Sequence, residues 1–211
     1  MVEAVIFDWD GTLFDVLDFL VDTYTKVFEE IGVKPWSKSQ YKNNFRGDWR
    51  GMLAEMGLEE HEDLLVESWE KAKQENTNLC LHEGAGELID RLDEDYLLAI
   101  ASSAPKKVLE AETKKLGVTS KINVILGLED CAKPKPNPLP LIMAAEKLGV
   151  DPHKCVYVGD MVEDMQAARE AGMASIAVDW GIHSKRLLKD TKPDAIAATT
   201  TELEDIIRCL P

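Results

Sequence analysis

Two aspartates one residue apart, Asp8 and Asp10 in Asp8-Trp9-Asp10-Gly11-Thr12, follow directly on the apolar run Val5-Ile6-Phe7. Residues two apart on an extended segment point to the same side, and strand ends in α/β proteins open onto the crevice where ligands bind. Both carboxylates are therefore expected to face one site. Like charges this close repel, and in apolar surroundings one protonates unless a cation stands near. A hard divalent cation meets that need, and Mg2+ is the economical choice because it takes carboxylate, carbonyl and water oxygens and bridges to phosphate. A second acidic cluster can complete the site. Tyr157-Val158-Gly159-Asp160-Met161-Val162-Glu163-Asp164 again runs from apolar residues through a Gly turn to carboxylates four apart that open a helix. An Asp near its reference pKa of about 3.9 is ionised at neutral pH and can attack phosphorus without an activating base. Asp8 is the candidate nucleophile, and Asp10 can protonate the leaving oxygen and then deprotonate water. Asp160, with Asp164 beside it, would hold the metal that neutralises phosphate charge.

These residues need a scaffold, and the chain beyond about Tyr96 supplies one by alternating short β-rich runs with helical ones. Leu97–Ala101, Asn123–Leu126, Cys155–Val158, Ser175–Val178 and Ala195–Ala198 read as strands, and Val2–Phe7 makes a sixth. Helices over Pro105–Leu116, Ile142–Leu148 and Val162–Ala171 separate them and stop at Gly117, Gly149 and Gly172. The grammar predicts an α/β fold, a three-layer, mostly parallel sheet with right-handed crossovers. Residues 15–83 break the rhythm. Val16, Leu17, Leu20, Tyr24, Val27, Phe28 and Ile31 recur at helical spacing before Gly32, and Leu53, Met56, Leu64, Leu65 and Trp69 mark further helices. The expected organisation is a core of residues 1–14 and 84–211 with a small helical cap over 15–83. The cap carries Arg46 and Arg50 beside Phe45 and Trp49, and Arg46 is the better candidate to clamp a substrate carboxylate.

Thirty-nine acidic against 24 basic side chains give 211 residues a formal charge of -15. Nucleic acid and anionic membrane surfaces would be repelled, whereas a small anionic substrate such as a phosphorylated metabolite stays compatible where a metal and a few placed Lys or Arg supply local positive charge. Cys80, Cys131, Cys155 and Cys209 lack metal-ligand spacing and read as reduced, mostly buried thiols. The four histidines, His61, His82, His153 and His183, fall in expected loops, read as exposed and receive no role. A strand almost directly after Met1 and no run of about 18 apolar residues predict neither leader nor membrane span, hence a cytoplasmic protein; nothing in the residues chooses between monomer and homodimer.

With these motifs in this order the chain resembles the haloacid dehalogenase superfamily, and within it the phosphoglycolate-phosphatase-like branch. Four motifs carry the resemblance: Asp8-Trp9-Asp10-Gly11-Thr12; the strand Ala99-Ile100-Ala101-Ser102-Ser103; Lys133-Pro134-Lys135-Pro136-Asn137-Pro138; and Gly159-Asp160 through Asp164. The resemblance implies a Rossmann-like core with a helical cap between the first and second motifs. It implies Asp8 as nucleophile and metal ligand, and Asp10 as general acid/base that also offers its backbone carbonyl to Mg2+. Asp160 is then the third protein ligand, and Asp164 binds directly or through water. Ser102 and the Ser103 amide hold the phosphoryl group, and a lysine balances charge between phosphate and Asp8; the proline spacing favours Lys133 over Lys135. The implied activity is Mg2+-dependent hydrolysis of small phosphomonoesters through an aspartyl-phosphate, with phosphoglycolate the leading candidate. A phosphomutase of the same superfamily is the alternative, and a non-catalytic phosphometabolite-binding protein a more distant one. A dehalogenase is disfavoured because Asp10 and the downstream carboxylates would have no purpose there.

Overall fold

A computed structural model describes residues 1–75 and 80–211. Six parallel strands, β1 (Ala4–Phe7), β2 (Leu97–Ala101), β3 (Val124–Leu126), β4 (Cys155–Gly159), β5 (Ala174–Val178) and β6 (Ala195–Ala197), form one sheet in the order β3-β2-β1-β4-β5-β6. β1 pairs with β2 on one side, Phe7 opposite Ile100, and with β4 on the other, Phe7 opposite Val158. The chain order reverses between β1 and β4, and at such a switch point the crevice beyond the strand ends is the expected ligand position. Asp8 leaves β1 and Asp160 leaves β4 at that point.

Strands covered on both faces read as continuous apolar runs, and the pleat sorts them. Val5, Phe7, Leu98, Ile100, Val156, Val158, Ile176 and Val178 belong to one buried cluster; Ala4, Ile6, Ala99, Ala101, Cys155 and Tyr157 belong to a second. Of the described helices between β1 and β2, the first four are inserted ahead of the rest of the core: α1 (Leu17–Glu30), α2 (Lys38–Asn44), α3 (Trp49–Glu55) and α4 (Glu62–Glu75). The remaining helices are α5 (Ala85–Leu92), α6 (Lys106–Lys115), α7 (Leu139–Leu148), α8 (Val162–Ala171), α9 (Lys185–Asp190) and α10 (Thr200–Cys209). α7 and α8 supply Leu141, Ala144, Ala145, Ala167 and Ala168 to the second cluster, whereas α5, α6 and α10 supply Leu88, Leu92, Leu109, Leu203 and Ile207 to the first. The sheet is thus sandwiched between helices, the α/β class read from the sequence.

The inserted helices form a helical cap with aromatic packing of its own. Tyr24 makes edge-to-face contacts with Phe28, Tyr41 and Phe45, and Trp36 with Phe28 and Tyr41. The polar segment Lys-Ser-Gln-Tyr-Lys-Asn-Asn of α2 has little apolar periodicity. Its start is fixed by a capping box, in which Ser37 accepts from the Gln40 amide and the Gln40 side chain accepts from the Ser37 amide. Two chain segments join cap to core side by side: Asp15 N donates to Cys80 O at 3.1 Å and His82 N donates to Leu13 O at 2.8 Å.

Candidate active site

The turn after β1 is drawn tight by its own backbone. The amides of Thr12, Leu13 and Phe14 donate to Trp9 O, and Gly11 N donates to Phe14 O. Gly11 adopts φ +85°, and a Cβ there would lie 2.4 Å from Asp160 Oδ2, so only glycine lets this turn close on the second acidic cluster. Gly181 does the same from the far side, where a Cβ would meet Asp160 Oδ2 at 2.3 Å. Asp160, fully buried, accepts from Thr12 Oγ1 at 3.1 Å and from the Ile182 amide.

Asp8, Asp160 and Asp164 come together as the two sequence clusters suggested: each offers a carboxylate oxygen, all within 4.8 Å of one another, and all three residues are buried. Asp164 is spent on organisation. Its Oδ2 accepts from the amides of Asp160 and Met161 at the start of α8, and its Oδ1 accepts from Lys135 Nζ at 2.7 Å and lies 3.3 Å from Tyr157 Oη.

The buried cation is Lys135. Its Nζ stands 2.9 Å from Asp8 Oδ1, bonds Asp164, and donates to Tyr157 Oη at 2.8 Å. Tyr157 Oη in turn donates to Ala101 O at 3.0 Å. The assignment to Lys133 is therefore corrected: Lys133 is exposed, and Lys135 makes these contacts. Both lysines fit Lys-Pro-x-Pro, so proline spacing does not separate them. The Pro134–Asn137 turn, closed by Asn137 N to Pro134 O at 3.0 Å, aims Lys135 inward. Sequence reading also passed over Tyr157, although a phenol on a fully buried strand demands a partner.

Ser102 directly follows β2 and is buried, its Oγ accepting from Ala104 N at 3.1 Å. Ser102, Ser103 and Lys135 line a hollow of about 10 Å³, room for roughly one water. Asp10 sits on the same turn, its Oδ1 buried without a partner.

Arg46 stands apart from this cluster. It pairs with Glu55 at 2.7 Å, half-exposed, and lines a cleft of about 570 Å³ between α2–α3 and α8–α9 whose walls include Glu163 and His183 but none of Asp8, Asp10, Ser102 or Lys135. Its expected clamp on a bound carboxylate is not assembled in this arrangement, because Glu55 occupies the guanidinium. Arg50 is paired likewise, with Glu62. His183 departs from the reading of exposed histidines. It is buried, its Nδ1 accepts from Val162 N at 2.9 Å, and Nε2 lies 2.7 Å from Phe45 O, which places the proton on Nε2 and stitches cap to core. Of the four cysteines only Cys155 is buried, against the expectation of mostly buried thiols.

Burial sets the electrostatics. It raises the Asp8 pKa, helped by the charges of Asp164 and Asp10 and opposed by Lys135. It likewise pushes Asp10 up to about 6, with Lys73 opposing and Glu112 adding. Asp160 is held well above the ordinary carboxylate range by burial, then by Asp164 and Asp8. For Lys135 burial works downward, but Asp164 and Asp8 outweigh it and keep the ammonium charged. Three buried carboxylates face one buried ammonium, and Asp8 Oδ1 receives no aligned hydrogen bond despite the near cation. An all-oxygen donor set with this charge deficit suits a hard divalent metal.

The sequence profile of the haloacid dehalogenase-like hydrolases matches residues 5–178. The chain belongs to that family. Phosphoglycolate phosphatase of Xanthomonas campestris pv. campestris (strain 8004) is 32% identical over 184 residues, spanning 84% of this chain and 83% of that protein. A Lactobacillus plantarum structure provisionally assigned as a phosphoglycolate phosphatase superposes with TM-score 0.85 at 25% identity over the whole of both chains. A Thermotoga maritima structure provisionally assigned as a beta-phosphoglucomutase shares the fold, with TM-score 0.76 at 23% identity, covering 99% of this chain and 100% of that one. This member of the family is an enzyme of the phosphoric monoester hydrolase class. No described helix is long and apolar enough to cross a membrane.

Proposed function

We propose that this hydrolase is a Mg2+-dependent phosphatase of small phosphomonoesters, with phosphoglycolate as the leading substrate, acting through an aspartyl-phosphate on Asp8. The buried convergence of Asp8, Asp160 and Asp164 around Lys135 carries the reading. The phosphoglycolate phosphatase relative supports the substrate.

Asp8, Asp160 and the Asp10 carbonyl would hold Mg2+, with Asp164 behind them, and the ion would neutralise charge on the phosphoryl oxygens. An Asp8 carboxylate oxygen attacks phosphorus as the bond to the leaving oxygen breaks, and Asp10 in its protonated form gives that oxygen its proton. Asp10, now anionic, takes a proton from water as the water oxygen attacks phosphorus; the bond to Asp8 breaks and phosphate leaves. The rise of Asp10 to about 6 leaves both protonation states accessible near neutrality. Ser102 and the Ser103 amide hold phosphoryl oxygens, and Lys135, in the place first given to Lys133, favours the ionised form of Asp8 against the effect of burial and meets the transferring charge. Residues 15–83 act as a cap over a core of 1–14 and 84–211, shielding the aspartyl-phosphate from water until the leaving group departs. The partner is a free metabolite, neither nucleic acid nor membrane, met in the cytoplasm by a monomer or homodimer.

Phosphate release from a panel of phosphomonoesters including phosphoglycolate, with Mg2+ and with EDTA, tests the reading. Metal-dependent release that is lost in Asp8→Asn supports it. Phosphoryl transfer between sugar positions without phosphate release would replace it with the mutase reading.

A further inference from the structure

We infer that Glu112 is a positioning residue of the active site, tying the cap to the turn that carries Asp8 and Asp10; the inference rests on the phosphatase reading above. Trp9 stands between the two aspartates on that turn. It is fully buried, and its ring stacks on Phe14 with centroids 5.6 Å apart and planes at 9°. Trp9 Nε1 donates to Glu112 Oε2 on core helix α6 at 2.8 Å. The other oxygen of the same carboxylate accepts from Lys73 Nζ at 2.7 Å, and Lys73 belongs to α4, the last cap helix. The ammonium also lies 5.7 Å from the ring centroids of both Phe14 and Trp69.

One carboxylate therefore joins three parts of the molecule: α6 of the core, α4 of the cap and the turn of the catalytic pair. Most ion pairs elsewhere on the chain have a half-exposed partner, whereas the Lys73 and Glu112 side chains are only 15% and 12% exposed. Exposed pairs contribute little; a desolvated pair behaves as a unit, because removing one partner strands the other charge. Lys73 can leave Glu112 only by leaving that carboxylate in the seam with Trp9 as its remaining donor. Seating of the cap and the position of the turn are thereby linked. A turn displaced by an ångström moves the attacking oxygen of Asp8 and the proton of Asp10 together, and misplacement on that scale costs large factors in rate.

Steady-state kinetics on the Mg2+-loaded enzyme with phosphoglycolate test this, using Glu112→Gln, which keeps an acceptor for Trp9 but not the charge, together with Lys73→Met, Lys73→Arg and the Lys73→Met/Glu112→Gln double variant. Expected is a fall in kcat of about tenfold in each single loss variant, with KM within about threefold, the double variant no worse than the singles, and most of kcat recovered by Lys73→Arg. If Glu112→Gln does not fold, the Met and Arg variants at Lys73 decide alone. Lowered melting temperature with wild-type kcat would reduce the pair to a structural role, a rise in KM alone would make Lys73 a substrate contact, and multiplicative losses would break the unit; each overturns the inference. A wild type without turnover overturns the phosphatase reading and this inference with it, whereas an active wild type matched by Glu112→Gln overturns this inference alone.

Discussion

Replacing Lys135 by Met separates the two lysines of the Pro-rich loop. Lys135 Nζ stands 2.9 Å from Asp8 and 2.7 Å from Asp164, with the side chain 7% exposed. At an effective dielectric near 20, each contact represents a gross attraction of about 6 kcal/mol, most of it offset by the cost of burying the charges. What survives in the transition state is the share aimed at the transferring phosphoryl group. Loss of one pre-placed donor of this type costs about 2.7–4 kcal/mol, or about 100- to 1,000-fold in kcat. Lys135→Met should therefore lower kcat for phosphoglycolate by at least about 100-fold. Lys133→Met, at an exposed position, should stay within about twofold of wild type. Phosphate release under saturating Mg2+, with folding checked by circular dichroism, reads both. Equal losses in the two variants, or a Lys135→Met enzyme within tenfold of wild type, would refute the placement of the cation.

Asp10 gives a pH signature in stability. Its folded-state pKa of about 6 lies above the ordinary 3.8, so the proton it retains favours the fold below 3.8 and that contribution is lost as pH rises through 6. In EDTA, Asp10→Asn should thus gain up to about 3 kcal/mol relative to wild type between pH 4 and 7.5; a difference that is flat with pH or opposite in sign, by thermal melts, would contradict the burial of Asp10. Tyr157→Phe removes an acceptor from Lys135 and a donor from Ala101 O, and a hydrogen bond to a charged group is worth about 1.5–3 kcal/mol. Its kcat should fall about tenfold or more, and unchanged kcat would exclude a part in holding Lys135. Gly181→Ala drives a methyl into Asp160 Oδ2 and Gly11 O; a higher Mg2+ concentration for half-maximal activity is expected, and an unaltered titration would show that the loop yields freely.

The parallel sheet was legible because each strand is an apolar run bounded by turn residues and each helix carries its own period. The acidic cluster was legible because Asp8 and Asp160 sit at strand ends that the topology brings side by side. The lysine was misread because two overlapping repeats, Lys133-Pro134-Lys135-Pro136 and Lys135-Pro136-Asn137-Pro138, satisfy one spacing, and only the turn's direction chooses between them. α2 escaped because its stability comes from the Ser37–Gln40 cap and the contacts of Tyr41 rather than from an apolar stripe. Tyr157, His183 and Glu112 do their work across 22 or more positions of sequence, joining Lys135, Phe45 and Trp9, and no local pattern announces such partners.

Capture of the covalent intermediate bears most directly on the role of Asp8. Wild type, Asp8→Asn and Asp10→Asn would be mixed with radiolabelled phosphoglycolate and Mg2+, acid-quenched and digested. Acid-stable, hydroxylamine-labile label on the peptide containing Asp8 is expected in wild type, formed and lost more slowly in Asp10→Asn because Asp10 serves both steps, and none in Asp8→Asn. Turnover by Asp8→Asn, or label on any other residue, would contradict the assignment of Asp8 as nucleophile.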